Sequence, residues 1–203
     1  MTDSRTTFLS AADSFVAQVE ALPVVAMGGP GLGDWDVRSL VGHTSRSLVT
    51  VVTYLDQPAD TVAVPTAAHY YLAIAEAGGA SGEAVTERGR QAGLALGEDP
   101  AAFVRDLAAR VAEKLTRYAA AYALTTIAGG MRLDEYLRTR TFELVVHGLD
   151  IAAATGVETV LEQEPLSDAA TLAAEVAVLS GRGADLLRGL TGRSPLAPDF
   201  SVV

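Results

Sequence analysis

The chain has 203 residues, of which 49% are hydrophobic and 20% charged, with a formal net charge of −10 and no cysteine. This length and composition suit a globular domain that buries its own core, and they exclude a disordered tail or a disulfide scaffold. The negative charge repels phosphate backbones and argues against nucleic-acid binding; the lack of thiols means any thiol chemistry must use a thiol from outside the chain.

The opening MTDSRTTFLS lacks a basic stretch followed by an apolar one, so it does not read as a signal peptide. No apolar run reaches the roughly 18 residues of a membrane span, and the expectation is a cytoplasmic protein without membrane contact. Alanine is abundant and aromatics are few, which favours helices. A first helix is predicted over about 4–22, with Phe8, Ala12, Phe15, Val16, Val19 and Leu22 at helical spacing. After the break GGPGLGD, Asp36 caps a second helix through His43 to about Leu55. Trp35 and Leu40 take the spacing of a hydrophobic staple around that cap. Pro58 and Pro65 bracket a linker. A short helix over about 67–77 and the GGASG turn follow. A helix over about 83–96 is weakened by Gly89 and Gly93, each costing about 1 kcal/mol relative to alanine. Asp99-Pro100 opens a long helix to about Ala123, with Phe103, Leu107, Val111, Leu115 and Tyr118 on one face. Residues 124–131 are irregular, with room for a short extended piece. Asp134 caps the next long helix, which ends at Gly156. Helices over 167–179 and 184–190 lead into the tail TGRSPLAPDFSVV. The fold class is all-α: an antiparallel four-helix bundle with extra short helices.

The chain has three histidines: His43, His69 and His147. In RTRTFELVVHGLDIAAATG, Glu143 and His147 lie four residues apart and share a helical face among apolar neighbours. A buried carboxylate is costly unless it is paired or bound to a cation. The pair therefore either forms an i, i+4 hydrogen bond or supplies two metal ligands, with His43 the candidate third from a facing helix. Two histidines and one carboxylate leave coordination positions open, as a catalytic metal site requires. Asp150, one turn after His147, is either a second acceptor that orients the imidazole or an exposed helix charge. Arg138 and Arg140 are candidate clamps for an anionic substrate, Arg138 reading rather as part of a solvated face. His69, in AAHYY, reads as a surface or pocket-lining residue.

WDVRSLVGHTSRSL resembles the W-(T/D)-V-x-D-L-x-x-H opening of the mycothiol-dependent maleylpyruvate isomerase family, a group of DinB-like four-helix bundles. LDEYLRTRTFELVVHGLDIAAATG resembles the second signature of that family, R-x-x-E-x-x-x-H-x-x-D. The resemblance covers roughly residues 5–156. It implies a DinB-like metal-binding bundle over residues 1–156 whose His43, Glu143 and His147 hold one divalent metal, with zinc the expected ion. It also implies that the open metal positions take water or a thiolate. Mycothiol would be the thiol in an actinobacterium, which fits the bias of arginine over lysine, Lys114 being the single lysine.

Two departures stand out. Ser39 replaces the aspartate that often precedes Leu-x-x-His. Residues 157–203 read as a short helical extension packed on the bundle, not as the sizeable second domain of the isomerase, so no functional arginine from that domain carries over. The implied function is a metal-dependent transferase or isomerase that brings a small thiol to a small electrophile. The alternatives are a hydrolytic or a non-catalytic, stress-related metal-binding bundle, and in each case a homodimer is a candidate assembly.

Overall fold

The computed structural model describes residues 3–78 and 82–203; residues 79–81 of the GGASG turn lie outside the described residues. The described residues form eight α-helices and one two-stranded hairpin: α1 Ser4–Ala21, α2 Val37–Tyr54, α3 Ala67–Glu76, α4 Gly82–Ala95, α5 Pro100–Leu115, β1 Ala123–Thr126, β2 Gly129–Arg132, α6 Leu133–Thr155, α7 Gln163–Leu179 and α8 Gly183–Leu190. The all-α class holds. Helices α1, α6, α2 and α5 close a ring in that order, each packed on its two neighbours. Their inward faces carry Phe8, Phe15, Leu40, Leu48, Leu115 and Leu137, all fully buried. None of the helices is long and apolar enough to cross a membrane.

The predicted caps explain most boundaries. Asp36 Oδ1 accepts from Ser39 N at 2.7 Å and starts α2. Asp99 Oδ1 accepts from Ala102 N at 2.9 Å and starts α5, with Pro100 at the first helical position. Gly156 ends α6 at φ +72°, a left-handed conformation open to glycine without strain.

Three expectations are corrected. Helix α5 stops at Leu115 rather than near Ala123: the N–H groups of Thr116, Arg117 and Tyr118 bond three residues back instead of four, and Ala120 and Tyr122, accepting from Asp134 and Leu133, hold the following segment to the start of α6. Asp134 does not cap α6; the helix begins at Leu133, and Asp134 sits in its first turn, ion-paired with Arg132. Helix α7 starts at Gln163, before Pro165, since proline in a first turn gives up an N–H that has no helical partner anyway.

Gly89 and Gly93 are better understood as contact points than as weaknesses. Helix α4 lies across α2, and a Cβ on Gly89 would overlap the Trp35 indole. A Cβ on Gly42 would overlap the backbone of Ala92 and Gly93. Glycine at these crossings lets two backbones meet, and the packing gained offsets the helix propensity lost. The hairpin docks through Ala63 and Val64, whose N–H groups both donate to Gly130 O at 2.9 Å. Helix α7 packs on α6, α3 and α1.

Replacing Gly42 with alanine, a better helix former, should destabilise the protein by about 1–3 kcal/mol, as an overpacked core contact does. Urea unfolding measures this, and a stabilised Gly42→Ala variant would mean that α4 does not sit against α2 as described.

Candidate metal centre

Helices α2 and α6 pack together, α2 bringing His43 and α6 bringing Glu143 and His147 to one place. One donor atom from each of the three lies within 4.8 Å of the others, and no other group of three His, Asp or Glu converges in this way among the described residues. Glu143 Oε2 is 3.3 Å from His147 Nε2, and the His43 and His147 rings meet edge to face with centroids 4.9 Å apart. The buried Nδ1 of His43 has no hydrogen-bond partner. An unpartnered ring nitrogen at depth is unusual in a folded protein and suits a ring held for a ligand. The donor set also suits a divalent cation: two imidazoles and a carboxylate on rigid helices.

The surroundings fix each group. Tyr71, on α3, donates to Glu143 Oε1 at 2.8 Å, leaving Oε2 turned toward His147. Asp150 Oδ2 lies 3.0 Å from His147 Nδ1, within reach to accept a hydrogen bond from that ring nitrogen. With that nitrogen committed, Nε2 is the atom His147 has to offer. The Trp35 indole packs on His43 with centroids 4.5 Å apart and donates from Nε1 to Thr86 O at 2.9 Å.

A cavity of about 630 Å³ opens beside the trio, with His43, Glu143, Tyr70, Tyr71 and Arg140 in its wall. Arg140 is 9% exposed and lies over two rings, its guanidinium carbon 5.4 Å from the Tyr70 centroid and 5.2 Å from that of Tyr136. Arg138 is not on a solvated face: it bonds Asp168 at 3.0 Å and Glu175 at 3.1 Å and so ties α6 to α7, away from the trio. The acids of α7 lie far along the chain, which is why local spacing misses this role. His69 is exposed, its Nδ1 2.7 Å from Thr66 Oγ1 at the α3 N-terminus, and takes no part in the trio. No local signal in the sequence assigns Tyr71 to the centre. Its only trace is the Tyr70-Tyr71 pair in a short helix, with nothing to say that α3 leans on α6.

The family profile described as mycothiol maleylpyruvate isomerase N-terminal domain matches residues 8–152. The chain belongs to this family. The match runs from α1 to near the end of α6 and includes His43, Glu143, His147 and Asp150. No curated protein and no solved structure matches the chain.

Within this isomerase-family bundle the two centre histidines are pushed in opposite directions. Burial lowers the pKa of His43 from 6.5 to about 4, with help from the nearby His147. Burial also works to lower that of His147, but the bonds to Asp150 and Glu143 prevail and raise it from 6.5 to about 9. Burial alone would raise Glu143; the His147 hydrogen bond and the charge of Arg140 outweigh it and bring the carboxyl from 4.5 down to about 2. In the metal-free protein, protonated His147 therefore stabilises the fold fully below about pH 6.5, and this fades as pH rises through 9. Neutral His43 contributes above about pH 6.5 and its contribution is lost as pH falls toward 4. Ionised Glu143 contributes above about pH 4.5 and is lost as pH falls toward 2. NMR titration of the metal-free protein should place the His43 and His147 imidazoles near pH 4 and pH 9. Midpoints for both near 6.5 would refute this arrangement.

Proposed function

We propose that the protein is a metal-dependent enzyme in which His43, Glu143 and His147 hold one divalent cation, zinc in the first instance, for thiol transfer to, or isomerisation of, a small electrophile. The observation that carries this reading is the convergence of two imidazoles and one carboxylate, of which His43 and Glu143 line a cavity large enough for a small molecule. A structural site would be closed by four protein ligands, whereas three ligands beside a cavity leave room for a reactant. The family supports mycothiol as the thiol. Residues 1–156 are proposed as the metal-binding bundle and 157–203 as an extension on it.

A divalent cation in this place supplies Lewis acidity, lowering the pKa of a thiol or water held against it. The protein supplies the geometry. Asp150 keeps His147 in the tautomer that offers Nε2. Tyr71 holds one Glu143 oxygen so that the other faces the histidines. The Trp35 ring packs on His43 and the Tyr71 ring on Phe142, which holds both side chains in place beside the centre.

The purified protein should carry about one zinc per chain and the His147→Ala variant close to none, by elemental analysis; equal contents would sink the site. Tyr71→Phe should keep the fold and lower zinc affinity about 10–100-fold, the usual cost of losing a partner that orients a ligand. Competition with a chromophoric chelator gives that number. Zinc-dependent conjugation of mycothiol to monochlorobimane tests the reaction. Loss of activity in Tyr71→Phe at limiting zinc, restored by excess zinc, is the expected pattern.

A further inference from the structure

The cavity carries three arginines, Arg46, Arg88 and Arg140, together with one acidic side chain, Glu143, and the C-terminal residue Val203. None of the three takes part in any ion pair among the described residues. The chain has 25 Asp and Glu against 15 Lys and Arg, so acids to pair them are not in short supply. An excess of positive charge around one hollow in an acidic protein, none of it in an ion pair among the described residues, points to a ligand of the opposite sign.

Arg140 is the most constrained of the three. It is nine-tenths buried, and its one side-chain hydrogen bond runs from Nε to Thr139 Oγ1 at 3.0 Å. Among the described residues neither terminal nitrogen has a hydrogen-bond partner or is sealed from solvent, and Arg140 lines the cavity. The Tyr70 and Tyr136 rings hold the guanidinium plane in place. Two free N–H groups on a fixed planar fork match the two oxygens of a carboxylate. Tyr54, Ile74, Val85 and Ile127 give the rest of the wall an apolar character that suits a flat hydrophobic body. Arg46 is half-buried and Arg88 exposed, so they lie nearer the solvent and attract an anion over distance.

We propose that the cavity binds a small monocarboxylate with a planar apolar body, its carboxylate seated on the Arg140 fork and drawn in by Arg46 and Arg88. The claim that this ligand is the molecule acted upon rests on the metal-centre reading above; the carboxylate seat itself needs no metal.

Calorimetric titration with benzoate and with its neutral isostere benzamide tests the seat, on zinc-loaded protein, on chelator-treated protein and on His147→Ala. Benzoate should bind at least tenfold tighter than benzamide in all three. Arg140→Gln should abolish that preference, and Arg140→Lys should cut it severalfold by losing the fork while keeping the charge. Arg88→Gln, an exposed change safe for folding, should weaken benzoate severalfold at low salt and hardly at all at high salt. Equal binding of benzoate and benzamide would overturn the proposal, as would an undiminished preference in both Arg140 variants. Benzoate binding that disappears with the metal but survives Arg140→Gln would assign the carboxylate to the cation and equally overturn it. Inorganic phosphate binding as tightly as benzoate would overturn the monocarboxylate assignment. Benzoate binding that persists in His147→Ala while zinc is absent from every preparation would uphold the seat and refute the metal centre, so the two readings fail separately.

Discussion

A carboxylate withdrawn from water must be compensated, and the meeting of α2 and α6 is arranged around that requirement. Glu143 is held between a tyrosine hydroxyl and an imidazole, 2.8 and 3.3 Å away, with a buried arginine one turn before it. Each compensating group is itself fixed from behind: His147 by Asp150, Arg140 by two aromatic rings, Tyr71 by the packing of α3 on α6. Loss of any one partner leaves a charge or dipole stranded at low dielectric, which is what ties distant segments of the chain to one point.

The same constraint explains what could be read from the sequence. Glu143 and His147 were legible because helical periodicity alone puts residues four apart on one face, and their apolar neighbours put that face inside. His43 followed from the Asp36 cap, which phases α2, and from the two family-like motifs taken together. The helix starts marked by Asp36 and by Asp99-Pro100 were placed to within a residue. Boundaries failed where distant partners bear on them: the segment after α5 is held by hydrogen bonds to the start of α6, which no local signal records. Arg138 was misread for the same reason, since its acids lie on α7. Tyr71 was invisible because its role depends on how a short connecting helix leans. Gly89 and Gly93 looked like defects because propensity scales price a helix alone, not a helix crossing another.

Burial also separates the tasks of two arginines only two residues apart on α6. Arg138 faces the acids of α7 and is spent on architecture, whereas Arg140 faces the hollow and keeps its terminal nitrogens unspent. Adjacent positions of one helix point about 100° apart per residue, so near neighbours in sequence serve different surfaces.

The walls of the hollow and its histidine–glutamate corner come from different parts of the chain. The corner stands on α2 and α6, two staves of the bundle, while much of the wall is lent by the connectors between them, α3, α4 and the tip of the hairpin. Staves pack on several neighbours and tolerate little change, whereas connectors accept more of it away from tight contacts such as Gly89 on Trp35. On the proposed reading, descendants of such a chain can therefore trade one guest molecule for another by altering Ile74, Val85 or Ile127, and inherit the corner intact. A bundle built this way keeps its chemistry and its choosiness on separate evolutionary clocks.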